Sequence, residues 1–487
     1  MMNAIDRVIG FFNPVAGLRR QVARQMMARA YEAASGADGW KPRRAGASAN
    51  ADHLGDAQKV RVKARALAQN VPYIARGLQV LVSSTIGTGI EPIFLAKRNP
   101  ERYKDLWTQW APQADADGVF DIYGIQAAAY RAMELDGEVL IRRRMRRHED
   151  KMSVPMQLQV LEADYIDTAK QGNVAGGGRI VNGIEYDAIG KVRAYWLHQS
   201  HPGDLSMVAG KIGSVSVPAR DIIHLYNPTR PGQGRGISRL APIINRARDL
   251  MLYEDAELAR KNLESRLGLV ASGDLGEMRN HENPPVVPDV ATPTDLGPLP
   301  SGGITQLPAG MNLTQIDPKA PPGFVDYMKL SLHLVAAGWG IPYESMTGDM
   351  REVNFSSARI RNIEFRRDCE QMQWLVLIPV MLNRIARWFI EACELAGLIN
   401  QPEYAVDWST PRWDYVNPQQ DVTAELRAIE GGLLSPSEAL RRRGYKPEQV
   451  FAEMGRDLES MKKSGALDLM QFFKNGQPAQ TPETPPA

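Results

Sequence analysis

The sequence predicts an α+β protein in which a mixed domain is followed by long helices. Three observations predict this class. Strand-like segments rich in branched and aromatic residues fill much of the stretch between residues 137 and 226. Helical patterns run over residues 237–266, 323–340 and 356–395, and a proline-rich segment separates the first two. With 487 residues and 44% hydrophobic composition, the chain can bury several cores.

The composition excludes several classes of protein. The 58 basic and 56 acidic residues give a formal charge of only +2, so overall charge does not predict nucleic-acid binding. Cys369 and Cys393 lie on one predicted helix, too far apart to bridge, which indicates buried thiols in a reducing compartment. The longest apolar run, Trp374 to Leu382, is less than half of the roughly 20 residues that a membrane helix needs. We therefore expect a soluble protein without a disulfide framework.

The chain begins with residues 1–55, which predict an N-terminal arm and a flexible linker. Several arginines in the first part are typical of an amphipathic helix that lies on the protein surface or binds a partner. Small residues and turn formers from Ser35 to Gly55 predict the linker. The mixed α+β domain follows over residues 56–236, with helices first and most of the strands after them.

Two helices that flank an insertion come next. Residues 237–266 predict a helix about 45 Å long with one narrow apolar face, which needs neighbours to cover it. Residues 267–322 form the insertion, where ten prolines between Pro284 and Pro322 exclude a continuous helix but allow short strands. The insertion is either disordered or a small subdomain. The segment 323–347 contains a second helix, which stops at Gly340 to Pro342. Two helices separated by an irregular insertion are typical of a stalk with a projecting tip.

A polar loop then opens onto a very long helix. Gly348 to Phe355 predicts the loop, and Ser356 or Ser357 suits the N-cap of the helix. The helical pattern continues to about Leu395, which corresponds to roughly 60 Å. We expect Pro379 to kink this helix, because proline cannot donate the backbone hydrogen bond that a helix interior requires.

The rest of the chain consists of a connector, short helices and a tail. The long helix and an aromatic connector account for residues 356–410. Short helices over residues 411–475 follow, with Ser435 as a good N-cap. Residues 476–487 are rich in proline and polar residues and predict a disordered tail.

No group of residues in the sequence predicts a catalytic or metal site. The glycines of "GQGRG" at Gly232 to Gly236 lack the Lys-Ser/Thr of a phosphate-binding loop and predict a structural turn. His198 and His201 have no nearby carboxylate or cysteine pattern and predict solvated loop residues. Asp164 and Asp167 could hold the metal of a nuclease, but turn and capping roles are the better interpretation.

The densest basic cluster is the run "IRRRMRR". Alternation along a strand sends Arg142, Arg144 and Arg146 to one side, and Arg143 and Arg147 to the other side or the turn. Such a run is usually a solvated face. Contact with phosphate is possible here, but the solvated face is the favoured interpretation.

Three motifs together carry a resemblance that covers most of the chain. They are "DGEVLIRR" (Asp136 to Arg143), "HLYNPTRPGQGRGISRLAPII" (His224 to Ile244) and "NFSSARIRNIEFRR" (Asn354 to Arg367). Their order, with the insertion between the two flanking helices, resembles the phage portal proteins of the lambda family. Phe355 stands where that family often has tyrosine, a change that keeps the aromatic ring.

The resemblance implies a portal fold and a portal function. It implies a dodecameric ring at one capsid vertex, through which double-stranded DNA is packaged and ejected. It also divides the chain into a mixed wing (56–236), a stem of two helices (237–266 and 323–347), a clip (267–322), a tunnel loop (348–355), a long kinked wing helix with connector (356–410) and a helical crown (411–475).

The resemblance further implies the partners and the residues that line the channel. The partners are double-stranded DNA, the terminase large subunit, major capsid and scaffold proteins, and head-tail connector (neck) proteins. Assembly would take place in the bacterial host cytoplasm, and the protein would end in the virion. No catalytic residue, cofactor or metal is expected. The channel residues would be Gly348, Asp349, Met350, Arg351, Glu352, Asn354 and Phe355.

Two other classes of function compete with a portal. One is an oligomeric adaptor or scaffold unrelated to DNA, in which the long helices form an interaction stalk. The other is a DNA-processing enzyme, which requires a cluster of acidic residues for divalent metal. The sequence contains no convincing cluster of this kind.

Overall fold

A computed structural model describes most of the chain, and these ranges are the described residues: 48–53, 56–204, 213–265, 269–273, 311–315, 323–351, 354–411, 413, 418–442, 445, 447–464 and 466. The predicted N-terminal helix, most of the insertion and the predicted tail lie outside them. The chain divides into two compact units. The first comprises residues 1–54 and 230–234, and the second comprises residues 55–229 and 235–487.

The described part of the first unit is small. Helix α1, Ala49–His53, lies in it. The side chain of Asn50 donates to the carbonyl of Gly232 (3.1 Å) and accepts from the amide of Gly234 (2.8 Å). These bonds hold the glycine turn that the sequence predicts in place of a phosphate-binding loop.

The second unit contains the remaining described helices. No described helix is long and apolar enough to cross a bilayer. The helices are α2 Asp56–Asn70, α3 Pro72–Thr85, α4 Pro100–Trp110, α5 Ile122–Asp136, α6 Ile244–Ser265, α7 Phe324–Trp339, α8 Tyr343–Thr347, α9 Phe355–Met372, a π-helix Gln373–Leu382, α10 Asn383–Leu395, α11 Pro418–Glu430, α12 Pro436–Arg442 and α13 Pro447–Ser464.

Four antiparallel sheets accompany these helices in the described residues, with strand orders β1-β12, β10-β11, β3-β2-β9 and β4-β5-β6-β7-β8. Both insertion strands, β10 and β11, pair with each other. The strands are β1 Glu91–Phe94, β2 Glu138–Met145, β3 Met156–Glu162, β4 Gly172–Val174, β5 Gly178–Val181, β6 Ile184–Tyr186, β7 Val192–His198, β8 Ser214–Pro218, β9 Ile222–Tyr226, β10 Leu269–Gly273, β11 Met311–Gln315 and β12 Val406–Ser409.

The three-stranded sheet β3-β2-β9 has a core on each face. Because side chains alternate along a strand, Val139 and Ile141 of β2 join a large core shared with the helices. Leu140 points to the other face and packs in a second core with residues such as Ile184 and Leu197 of the five-stranded sheet. This alternation fixes which arginines of β2 face which side.

The long C-terminal helix closes the larger core. The ring of Phe389 on α10 lies 5.0 Å from that of Trp107 and 5.2 Å from that of Trp110, both on α4. Phe389 and Trp110 are fully buried. Aromatic residues of this size bury a large apolar area. This contact therefore stabilises the packing of α10 against α4.

The first flanking helix begins later than the sequence predicts. A helix was expected from Ile237, whereas α6 begins at Ile244. The preceding residues form turns, in which the amide of Ala241 bonds to the carbonyl of Ser238 at 3.0 Å. Pro242 explains the difference, since proline donates no backbone hydrogen bond and disfavours helical geometry at the residue before it.

The long helix also differs from expectation at its start. It begins at Phe355 rather than after a cap at Ser356 or Ser357, and the carbonyl of Asn354 accepts from the amide of Ala358 at 2.9 Å. Asn354 therefore occupies the N-cap position, for which asparagine is among the preferred residues. The chain then stays helical to Leu395, as predicted, and accommodates Pro379 within the π-helix.

Candidate channel loop and a buried charge cluster

The predicted channel loop starts at a glycine that ends a short helix. Gly348 caps α8 with φ of 74°, a left-handed conformation that favours glycine. The amide of Asp349 then donates to the hydroxyl of Thr347 at 3.2 Å. A side chain at position 348 would meet no heavy atom within 4 Å, so backbone conformation rather than crowding requires the glycine.

The described part of the loop neutralises its own charge. The guanidinium of Arg351 donates two hydrogen bonds of 2.9 Å to the carboxylate of Asp349, which also accepts from the Arg351 amide at 3.1 Å. Hydrogen bonds from Arg351 lower the pKa of Asp349. Met350 lies between them and is 66% exposed. The loop therefore presents a paired charge and an apolar side chain.

The remaining predicted channel residues divide into two groups. Asn354 and Phe355 belong to the start of the long helix α9, so the structure places them at its N-terminus. Glu352 lies outside the described residues. The structure thus brings Asp349 and Arg351 into contact, and the role of the whole loop in a channel stays a prediction.

Both ends of the loop are fixed by contacts between helices. Arg361 on α9 forms an ion pair with Glu344 on α8. The ring of Tyr343 on α8 stacks on that of His333 on α7, with 3.9 Å between ring centres and a 20° interplanar angle. These two contacts connect α7, through α8, to the long helix α9 that follows the loop.

In another part of the second unit, two of the sequence motifs meet at a buried carboxylate. Glu138 of "DGEVLIRR" is 1% exposed. It accepts from Arg235 Nε at 2.9 and 2.8 Å, from the amide of Gly236 at 2.9 Å and from Arg61 at 3.1 Å. Burial alone would raise the pKa of Glu138, but the charge of Arg235 and the hydrogen bonds lower it. Glu138 is thus ionised and satisfied by several donors.

A histidine completes this cluster. His224 Nε2 lies 2.9 Å from Glu138 Oε2. Burial lowers the pKa of His224, although the hydrogen bond with Glu138 opposes the shift. A neutral ring in this position donates its Nε2 proton to the carboxylate. We call Arg61, Glu138, His224 and Arg235 the buried charge cluster.

Two glycines let the motif backbones cross beside the cluster. Gly137 ends α5 with φ of 93°, and a Cβ atom there would lie 2.2 Å from the backbone of Ile237. A Cβ atom on Gly236 would lie 1.9 Å from the carbonyl oxygen of Gly137. No other residue fits either position without moving the backbone, which explains a glycine in each motif.

A neighbouring group of three residues has ligand atoms close enough together to hold a metal ion. Glu162, Asp164 and His201 offer ligand atoms within 4.8 Å of one another. The expectation that His201 lacks a nearby carboxylate is wrong, because Glu162 lies 3.4 Å away on an adjacent segment. Arg65, however, contacts both Glu162 and Asp164 at 2.8 Å. These carboxylates therefore already have a cationic partner.

The other candidate ligand has a local role. Asp167 accepts from the amide of Ala169 at 3.2 Å and from the hydroxyl of Ser214 at 2.6 Å. The first bond is typical of an aspartate turn, so the interpretation of Asp167 as a turn residue is confirmed.

Sequence reasoning missed the buried charge cluster, although a signal was present. Glu138 and His224 each stand beside apolar residues in a strand, in "GEVLI" and "IIHLY". A charged or titratable residue in a buried strand needs a partner, so their presence indicates a paired site. The partners, Arg61 and Arg235, come from distant parts of the chain and could not be chosen without the fold.

Comparison with known proteins decides the family. The model of a family described as phage portal protein, lambda family, matches residues 35–373, a range that includes all three motifs. This chain belongs to that family. The resemblance to the lambda family of portal proteins is therefore confirmed. Membership of this family gives the chain a structural role as a portal protein.

One named relative agrees with this assignment. A protein named probable portal protein from Halomonas phage phiHAP-1 is 26% identical over 440 residues, which cover 85% of this chain and 83% of the relative. Similar solved structures include the neck of a native GTA particle computed with C12 symmetry, with TM-score 0.45 and 16% identity over 80% of this chain and 94% of that chain. The virion of a native gene transfer agent particle gives TM-score 0.44 and 15% identity, over 80% and 93%.

Proposed function

We propose that this portal protein forms a dodecameric ring at a unique capsid vertex and provides the channel for packaging and ejecting double-stranded DNA. The family match over residues 35–373 carries the proposal. The protein assembles in the cytoplasm of the bacterial host and remains in the virion. The competing class of a non-DNA adaptor has no comparable support from a family match.

Exposed apolar side chains on the stem support assembly into a ring. Tyr327, Leu330 and Leu334 of α7 are spaced by three and four residues, so they lie on one helical face. They are 49%, 59% and 45% exposed in the single chain. An apolar face of this kind is stabilised by a neighbouring subunit, and contacts between two different faces close into rings.

The paired charge of Asp349 and Arg351 suits a channel through which DNA slides. A strongly basic lining would bind the phosphate backbone tightly, because each neutralised phosphate releases counterions. The Asp349–Arg351 pair offers no net charge, and Met350 adds an exposed apolar surface. We assign residues 348–355 to weak contacts with DNA that do not depend on base sequence.

We assign the insertion, residues 267–322, to docking of the terminase large subunit and later of the neck proteins. Its described strands β10 and β11 pair over five residues each, from Leu269 opposite Gln315 to Gly273 opposite Met311. A two-stranded hairpin has little core of its own, which suits a projecting contact surface. Major capsid and scaffold proteins are the remaining partners that we propose.

The length of the packaged genome tests the loop assignment. We replace Asp349, Arg351 and Glu352 with serine, and leave Asn354 unchanged because it begins the long helix. Rings should form as in the wild type, since exposed substitutions usually change stability by less than about 0.5 kcal/mol. Particles assembled with the variant should retain shorter genomes or fewer of them, as measured by gel electrophoresis of extracted DNA.

A matched control changes charge elsewhere on the surface. Glu101 and Lys104 form an exposed pair on α4, at 3.5 Å. Replacing both with serine should leave the packaged genome at full length. If the loop variant also retains full-length genomes in normal numbers, the loop has no part in packaging or retention.

A further inference from the structure

One face of the three-stranded sheet carries an arginine cleft. An open cavity of about 480 Å³ is lined by Arg142 and Arg144 of β2, by Arg146 just after that strand and by Gln159 of β3. Asp117 is the one acidic residue among the described residues that line it. Arg142 stands opposite Gln159 in the strand register. The predicted alternation therefore gathers three cations at a recess instead of spreading them over a flat surface.

Neutral side chains hold two of these arginines in place. Arg144 Nε donates to Gln159 Oε1 at 2.9 Å, and Arg146 Nε donates to Gln157 Oε1 at 2.7 Å. Gln157 is itself fixed, because its amide donates to the carbonyls of Gln113 and Asp115 at 2.8 Å each. The glutamines orient the guanidinium groups without neutralising them, and the Nη atoms retain donors for an anion.

The opposite face of the same strand shows the contrast. Arg143 also borders the cavity, but its guanidinium is already paired. It forms ion pairs with Asp221 at 2.8 Å and with Glu391 at 2.6 Å, and it lies 5.3 Å from the ring centre of Trp388. Within the described part of the chain, Arg142, Arg144 and Arg146 form no ion pair with a carboxylate. Burial, followed by the charge of Arg144, lowers the pKa of Arg142, as expected for crowded cations.

We propose that this cleft binds an extended acidic peptide segment of a partner protein. Alternate residues of a strand are about 6.8 Å apart, so the three arginines match carboxylates at every second position of an extended peptide. Guanidinium groups form two-pronged hydrogen bonds with carboxylates. The recess has the volume of a small-ligand pocket, which admits side chains of a peptide but not the body of a duplex.

Fluorescence anisotropy with labelled peptides tests the proposal on the full-length protein. The probe has glutamate at every second position, and a second peptide of the same composition has its glutamates in one block. The alternating peptide should bind more tightly. The double variant R144Q/R146Q should weaken its binding by about ten-fold or more, because it removes two charge-assisted contacts.

Two further variants separate the cleft from general charge. Arg147 belongs to the same run but does not line the cleft, so R147Q should bind the alternating peptide as the wild type does. R144K keeps the charge and loses the two-pronged geometry, so its affinity should fall about three-fold. Circular dichroism confirms that each variant is folded. If the double variant is not folded, the single variant R146Q replaces it in the binding experiment.

Three results would overturn the assignment. One is equal binding of the alternating peptide to R146Q, R144Q/R146Q and R147Q. Another is equal affinity for the alternating and block peptides. The third is a duplex oligonucleotide that binds more tightly than either peptide and loses affinity in the same cleft variants, which would make the cleft a nucleic-acid surface instead.

Discussion

At the scale of single residues, the fold depends on Glu138 more than its place in a strand indicates. Its carboxylate links β2 to α2 through Arg61, to β9 through His224 and to the segment before α6 through Arg235. All four members of the buried charge cluster are less than 9% exposed. A buried charge without its partner is expensive, so each member depends on the others.

The substitution Glu138→Gln should lower the free energy of unfolding by about 3–5 kcal/mol, because Arg61 and Arg235 lose their shared counter-charge. Urea unfolding followed by circular dichroism measures the effect. Glu101→Gln is the control, since its side chain is 77% exposed and should change stability by less than about 0.5 kcal/mol. Equal unfolding curves for the two variants would show that the cluster does not stabilise the fold.

At the scale of elements, the sequence predicted the strands and helix ends that depend on residues close together in the chain. Branched and aromatic residues located β2, β3 and β9, and Gly340 to Pro342 marked the end of α7, as the structure confirms. Strand β12 was missed, because its four residues pair with the distant strand β1 and carry little local signal. The cap at Asn354 was missed because two serines nearby are comparable candidates.

The candidate site was also predicted only where it depends on residues close together in the chain. Mixed charge in the loop was visible in the sequence, but the direct bond from Arg351 to Asp349 depends on the left-handed turn at Gly348. The contacts of β2 follow the expected alternation, because Arg143 pairs with Asp221 and Glu391 whereas Arg144 bonds to Gln159. The recess beside them depends on the segment at Asp117, which the sequence did not place there.

Helix packing around α7 gives a prediction at this scale. A Cβ atom on Gly77 of α3 would lie 2.4 Å from the ring of Trp339 on α7, which is 1% exposed. Gly77→Ala should therefore destabilise the protein by about 1–3 kcal/mol through overpacking. Urea unfolding followed by tryptophan fluorescence measures it.

Gly455→Ala is the matched control for this substitution. Gly455 lies in α13, and a Cβ atom there would meet no heavy atom within 4 Å. Alanine should leave stability unchanged or raise it by up to about 1 kcal/mol, because it favours helix. A Gly77→Ala protein as stable as this control would contradict the close contact between α3 and α7.

At the scale of the whole molecule, the single chain leaves apolar side chains on several helices in water. On α13, Phe451, Met454 and Leu458 are spaced along one face and are 45%, 61% and 44% exposed. The face of α7 at Leu330 and Leu334 is a second example. Scattered apolar residues are ordinary on a protein surface, but stripes at helical spacing are typical of contacts between subunits.

Native mass spectrometry of the purified protein, with electron microscopy of the same sample, tests the central claim most directly. The claim predicts closed rings of twelve 54.0 kDa chains, about 650 kDa. It also predicts folded single chains for the L330K/L334K variant and intact rings for I189K, which changes an exposed turn residue. A wild-type protein that stays monomeric at high concentration and moderate salt, or forms open bundles without a channel, would contradict the claim.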